Sequence, residues 1–348
     1  MNRRKNYGIL PLFLTLEFSS SVTVARPSHA ALPSFPCNQG HVAYEPRLPN
    51  TMDRCVSMCL HGVVQECHCG RRIRILGSSA RAINPAAPGF QVYRHDTGGW
   101  YCDDVEQALD LQGRLPIVYV HGNFMERNNT RQRALIINEY LKSRAQRPYR
   151  LIFLSWPSQR EPHPLQDVRE NAMAAECQSL YMAWLLERLS SSPQVSLLGF
   201  SYGARCVTGG LHLASGGTIR GLQHAPTIAL DENQSAYRIG FVAPAIDRNW
   251  LAPWGKHRDA TIKADGVVSM YNPEDPVLRR FRLLDHDTKP IAAGHRGFIG
   301  NPMIQQYDCS SCVGRTHDER TYYRECPHFY RVLDHLLWNE SVGTCRVQ

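Results

Sequence analysis

Apolar and polar positions alternate in a regular way from about residue 88 onward. Residues 115–120 form a continuous apolar run, the mark of a strand buried on both faces, since neither face meets water. Over 131–143 the apolar positions Leu135, Ile136, Tyr140 and Leu141 recur at helical spacing, and 151–155 read as a strand again. A helix over about 168–189 follows, its apolar face built from Met173, Leu180, Ala183, Trp184 and Leu186. Further strands are predicted at 195–198, 237–243 and 266–271, and a closing helix from Tyr322 or Glu325 to Trp338. Near the start of this region, Asp96-Thr97-Gly98-Gly99 lies between two short strand-like runs and reads as a hairpin turn. Strands that alternate with helices pair in parallel through right-handed crossovers. The predicted fold is therefore α/β, a three-layer α/β/α sandwich with a mostly parallel sheet whose loops gather at its carboxyl edge. A site belongs at that edge.

The run at 195–198 ends in Gly199-Phe200-Ser201-Tyr202-Gly203, which has the G-x-S-x-G form of a nucleophile elbow. A serine thrown out of a sharp strand-to-helix turn sits in a strained backbone conformation, and glycines two before and two after relieve the crowding. The small apolar stretch after it fits a buried helix whose first amides face any oxyanion that develops at the serine. The competing interpretation is an ordinary Gly/Ser turn.

Composition bounds the rest. With 348 residues, 43% hydrophobic and 20% charged, the chain is long enough for one large core and an appendage. The formal net charge of +8 is spread along the chain without long basic runs, which argues against nucleic-acid binding. Residues 1–30 resemble a signal peptide, with Arg3-Arg4-Lys5, a short apolar stretch interrupted by Pro11 and Glu17, and Ser28-His29-Ala30 as cleavage site. Secretion or a periplasmic location is expected, and no later run approaches the ~20 apolar residues of a membrane span. The 12 cysteines agree with an oxidising compartment, and most are expected to be paired. Residues 31–87 read as a Cys-rich, loop-rich segment ahead of the main domain, 88–348. In it Cys55, Cys59, Cys67 and Cys69 with His61 and His68 could alternatively hold zinc, but neither cysteine spacing is the usual knuckle. Cys309-Ser310-Ser311-Cys312 lacks a thioredoxin-like start and is read as contributing to a disulfide. Neither a cofactor nor a metal is called for.

A second anchor is Val120-His121-Gly122-Asn123-Phe124, at the end of the 115–120 strand. A tetrahedral intermediate of acyl transfer needs two N–H donors, and Tyr202 can give one while Asn123 or Phe124 gives the other. His121 precedes the serine, so it is read as a structural histidine at the base of that loop. These motifs resemble the α/β-hydrolase superfamily, over about 88–348. They are most similar to uncharacterised bacterial α/β hydrolases with a V-H-G-[FY]-N-like segment, a W-P-S after the next strand and the elbow. Here these are Val120-His121-Gly122-Asn123, Trp156-Pro157-Ser158 and Gly199 to Gly203. The resemblance implies a Ser-acid-His triad in chain order, with Trp156 and Pro157 forming a wall beside the site. The segment after His-Gly is one residue shorter than that pattern, which leaves the second amide open between Asn123 and Phe124.

The acid belongs after a strand that follows the elbow. Asp275, in the loop after 266–271, is the choice, with Glu274 and Asp247 as alternatives and a self-capping Asp-Pro turn as the bland reading. The base belongs between the last strand and the closing helix. His317 lies there, whereas His286 and His295 come earlier and His328 and His335 fall at helical spacing. The expectation is a serine hydrolase, esterase- or lipase-like, acting on a small-molecule or lipid-like acyl substrate. The alternative is a non-catalytic binding protein on the same fold. Substrate and oligomeric state are not legible.

Overall fold

The computed structural model describes residues 55–59, 91–96, 99–125, 127–156, 158, 164–225, 235–284 and 288–339. The chain divides into Met1–Glu45 and Pro46–Gln348, and every described residue belongs to the second unit. The expected signal segment, most of 31–87 and Cys345 lie outside the described residues.

The strands are β1 (Cys55–Cys59), β2 (Gln91–Asp96), β3 (Gly99–Asp103), β4 (Leu115–Val120), β5 (Tyr149–Ser155), β6 (Gln194–Phe200), β7 (Ala236–Val242), β8 (Ala264–Tyr271) and β9 (Ile304–Asp308). They form one sheet in the order β3-β2-β1-β5-β4-β6-β7-β8-β9. From β1 to β9 every neighbouring pair is parallel, and β2 and β3 add an antiparallel hairpin at one edge. Helices α1 (Val105–Leu109), α2 (Arg127–Lys142), α3 (Pro164–Cys177), α4 (Ser179–Arg188), α5 (Gly203–Ala214), α6 (Ala293–Arg296), α7 (Ser310–Val313), α8 (Glu319–Glu325) and α9 (His328–Leu336) connect them. α2 and α9 meet on one face, where Tyr140 and Phe329 stack edge to face, and α3, α4 and α5 pack together on the other. This is a three-layer α/β/α sandwich with a mostly parallel sheet.

Every residue of β4 and β5 is buried; β4 and residues 151–154 are continuous apolar runs, while Arg150 is buried with Nη1 donating to Ala108 O (3.1 Å). At roughly 1.5–3 kcal/mol for each large apolar side chain taken from water, this centre anchors both helical layers. β6 lies beside β4 in the middle of the sheet, so whatever leaves its carboxyl end is held rigidly.

Three expectations change. The helix expected over 168–189 is offset at Gln178 into α3 and α4, although its hydrogen-bond ladder continues through Gln178 N to Ala174 O and Met182 N to Gln178 O, both 3.0 Å. The offset comes where Ser179 and Met182 drop onto Gly209 and Gly210 of α5, at which a Cβ would fall 2.0 Å from Ser179 Oγ and 2.3 Å from Met182 Cγ. The closing helix splits into α8 and α9 because Pro327 forces the residue before it, Cys326, into extended backbone. And β1 lies within the segment expected to be loop-rich, a five-residue strand too short to carry a period of its own.

Candidate active site

β6 ends at Phe200, α5 begins at Gly203, and Ser201 between them has φ 49°. Left-handed backbone at a non-glycine residue costs about 1–3 kcal/mol and persists only where its surroundings over-determine it. Here Ser201 N donates to Val242 O (3.1 Å), while Ala245 N (3.0 Å) and Ala204 N (3.1 Å) donate to Ser201 O. The flanking glycines are sterically required. A Cβ at Gly203 would fall 2.0 Å from Val120 O, and one at Gly199 would fall 2.9 Å from Ala204 Cα. The elbow thus needs β4, β6 and α5 to touch backbone to backbone.

His317 and Asp275 arrive from the ends of β9 and β8. His317 Nε2 is 2.9 Å from Ser201 Oγ, and His317 Nδ1 is 2.6 Å from Asp275 Oδ2. Asp275 is completely buried, and its other oxygen accepts from Val277 N and Leu278 N, both at 2.9 Å, so the carboxylate cannot swing away from the imidazole. With Asp275 accepting at Nδ1, the proton sits on that nitrogen and Nε2 is left to accept from the serine hydroxyl. The His317 side chain keeps 17% exposure, with the Phe200 ring 5.3 Å away.

The alternatives are engaged elsewhere. Glu274 is exposed, and Asp247 caps its own turn at Asn249 N (3.2 Å). His295 is buried, its Nδ1 3.4 Å from Asn272 O; His328 stacks on Tyr307; His335 Nε2 lies 3.1 Å from Gly266 O. His286 lies outside the described residues.

His121 is structural in its contacts. It is fully buried between Phe153 and Trp156, with Nδ1 donating to Gly122 O (2.7 Å) and Nε2 accepting from Trp156 N (3.1 Å). Burial pushes its pKa down to about 4. Trp156 Nε1 in turn donates to His121 O (2.9 Å), and Met125 N donates to Ser158 Oγ (3.0 Å), so two residues of the W-P-S motif hold the loop after β4. Pro157 lies outside the described residues. That loop reaches the nucleophile, since a Cβ at Gly122 would fall 3.0 Å from Ser201 Cβ. Asn123 and Phe124 come next, Phe124 with φ 58° and 40% exposed, and Tyr202 stands at the amino end of α5. Tyr202 follows Ser201 directly, and Gly122, the residue before Asn123, is the loop residue that meets it.

Sequence reading missed the residues that position His317. Asn272 Nδ2 donates to Gly314 O (2.8 Å), tying the loop of the acid to the loop of the histidine. Asp318 caps α8 by accepting from Thr321 N (3.1 Å). Glu319 is buried, paired with Arg133 at 2.9 Å and accepting from the hydroxyls of Tyr119 and Tyr323. Burial raises its pKa although Arg133 and both hydroxyls oppose this. A signal existed, because a tyrosine inside a fully apolar strand has a hydroxyl that must find a partner.

Cys312 and Cys326 form a disulfide that encloses His317 in a loop with a sequence separation of 14. Cys309, also within 4.8 Å of both sulfurs, is a buried thiol that burial raises to about 12. The bridge takes two of the three sulfurs a metal would use. Cys206 is likewise a buried thiol, its Sγ donating to Gln178 O between α3 and α4 (3.6 Å), which departs from the expectation that most cysteines are paired. The side chains considered for zinc lie outside the described residues.

No family profile and no curated protein matches the sequence. Solved structures do resemble it in layout. A Listeria innocua gene product has 10% identity and a TM-score of 0.36 over 67% of this chain and 96% of that one. Esterase 2 of Thermogutta terrifontis has 12% identity and a TM-score of 0.31 (64% and 80%). Acyl-protein thioesterase 2 of Zea mays has 12% and 0.32 (63% and 94%). Likeness of this degree concerns the layered arrangement, and the chemistry rests on the site's own geometry. No described helix is long and apolar enough to cross a membrane.

Proposed function

We propose that this protein is a serine hydrolase that cleaves an ester or related acyl bond. The observation that carries this reading is the unbroken contact chain Ser201 Oγ to His317 Nε2 to His317 Nδ1 to Asp275 Oδ2, at 2.9 and 2.6 Å. Ser201 Oγ attacks the acyl carbon while His317 Nε2 takes its proton, and Asp275 stabilises the imidazolium and holds the ring in place. The amides of Tyr202 and of Asn123 or Phe124 receive the oxyanion. The tetrahedral intermediate then expels the alcohol, which takes the proton from His317. Water, deprotonated by the same nitrogen, attacks the acyl-enzyme and releases the acid and the free serine. Export guided by residues 1–30 is part of this proposal, on the motifs given above.

A fluorophosphonate tests the reading directly. It should phosphonylate Ser201 stoichiometrically, and Ser201→Ala should abolish labelling while the protein stays folded. Equal labelling of the variant refutes the assignment.

A further inference from the structure

Beside the elbow lies a cavity of about 680 Å³ whose lining does not include Ser201 or His317. Four cationic side chains, Arg169, Arg205, Arg220 and Lys256, line it against two carboxylates, Glu176 and Asp247. Three of the cations converge on one carboxylate. Arg205 Nη1 reaches Glu176 Oε1 at 2.8 Å, while Arg220 Nε (2.8 Å) and Lys256 Nζ (2.7 Å) reach Oε2. Burial alone would raise the Glu176 carboxyl, but Arg205, Lys256 and Arg220 outweigh it and hold it at about 2.

One guanidinium suffices to neutralise a carboxylate, and burying further cations is costly unless something pairs with them. Arg205 is only 5% exposed. Its remaining bond goes from Nε to Ala245 O (2.9 Å), so Nη2 has no hydrogen-bond acceptor among the described residues. Lys256 spends one of its three protons on Glu176, and Arg220, half exposed, spends only Nε. The cluster is overfilled with donors that aim at a shared space. Trp250 and Phe281 stack on these cations, their rings 4.8 and 5.5 Å from the Arg205 guanidinium and the Trp250 ring 4.7 Å from Lys256 Nζ, and Met173 adds an apolar part to the lining.

The cluster is joined to the elbow through buried backbone. The residue that accepts from Arg205, Ala245, donates its own amide to Ser201 O (3.0 Å), and the Tyr202 ring lies 5.1 Å from the Arg205 guanidinium. We propose that this cavity receives an oxyanion, carboxylate or phosphate, carried by the compound that Ser201 cleaves, so that the preferred substrates are acidic esters. The inference rests on the hydrolase reading for its substrate and on the cation cluster for its anion.

Two measurements separate the two. The Ser201→Ala protein, titrated calorimetrically with glutarate and with inorganic phosphate, should bind at least one of them saturably, and which one binds identifies the headgroup. Lys256→Gln should weaken that binding about tenfold, the size of one charge-assisted hydrogen bond, and Lys256→Arg should restore most of it. Failure of both anions to bind overturns the inference. With the wild-type protein, kcat/KM for the p-nitrophenyl ester that carries the anion found to bind, p-nitrophenyl hemiglutarate for a carboxylate or p-nitrophenyl 5-phosphooxyvalerate for a phosphate, should exceed that for p-nitrophenyl valerate, and equal or lower values for the acidic ester overturn it. If glutarate binds but neither ester is turned over and no fluorophosphonate label appears, the hydrolase reading falls and the anion site stands.

Discussion

His121 and His317 both follow β-strands at the carboxyl edge of one sheet, and the fold uses them in opposite ways. Both ring nitrogens of His121 are taken by backbone groups, Gly122 O (2.7 Å) and Trp156 N (3.1 Å), with the Ser155 hydroxyl farther from Nε2 at 3.4 Å, in a fully buried stack. Both ring nitrogens of His317 face side chains, Ser201 and Asp275, in a ring that still meets solvent. A histidine whose protons are committed to the backbone cannot exchange them without breaking structure. One held between a hydroxyl and a carboxylate can pass a proton while staying in place. The partners, more than the residue type or its closeness to the serine, decide which histidine can act as a base.

The largest test of that contrast is activity. His317→Ala should lose about 10⁴–10⁶-fold in turnover of a p-nitrophenyl ester, as far as Ser201→Ala, because nucleophile and base act as a unit. His121→Gln should keep fluorophosphonate labelling in whatever fraction folds. A folded His121→Gln protein that cannot be labelled, beside an active His317→Ala, reverses the assignment.

Stability should divide the other way. Removing His121 leaves Gly122 O and Trp156 N buried without partners, at about 1–3 kcal/mol each, whereas His317→Ala should cost under about 1 kcal/mol. Urea melts of the two variants decide this, and equal midpoints would erase the distinction.

Reduction of the Cys312–Cys326 bridge acts only on the His317 side. A closed loop of this length is worth about 3 kcal/mol in the chain-entropy account, so dithiothreitol should lower the melting temperature and labelling rate together. Unchanged labelling after verified reduction shows that Asn272 and the Glu319 cluster hold the loop by themselves.

At neutral pH, where the other effects are already in force, the pH dependence of His121 does not show and has to be drawn out with acid. Its folded pKa of about 4 lies below the ordinary 6.5, so the unfolded chain takes up a proton that the folded chain refuses. The stability it confers is whole above pH 6.5, is lost as pH falls from 6.5 toward 4, and changes no further below that. Fully expressed, this is up to about 3 kcal/mol. His335, also pushed down to about 4 by burial, adds in the same direction. His121→Gln should flatten the slope of stability against pH between 4 and 6.5, and an unchanged slope assigns it to His335 and the other buried histidines.

The parallel sheet, the tight turn at Ser201 and the loops that carry Asp275 and His317 were legible because each leaves a local mark: an apolar run, a glycine spacing, a loop after a strand. Glu319, Arg133 and Tyr119 were not, because their meeting joins α8 to β4 and α2 across most of the chain, and no periodicity records a contact between distant elements. The Pro327 break was legible in the sequence and was overlooked, while the offset at Gln178 depends on glycines in α5, a different helix. The cation cluster escaped for the same reason, since Glu176, Arg205, Arg220 and Lys256 come from separate segments.

Ser201 and His317 lie 116 positions apart and His317 and Asp275 lie 42 apart, so their contacts close long loops. Such contacts repay the entropy of loop closure only after the intervening strands have docked. In the proposed triad, chain emerging from a ribosome holds Ser201 and Asp275 well before His317, the base that would activate the serine. On that proposal, Ser201 is an ordinary alcohol until β9 and α8 are seated, and a protein made in pieces or unfolded from its carboxyl end should be silent. Reactivity toward a fluorophosphonate, sampled during synthesis or refolding, is therefore a clock that strikes only when the last strand has joined the sheet.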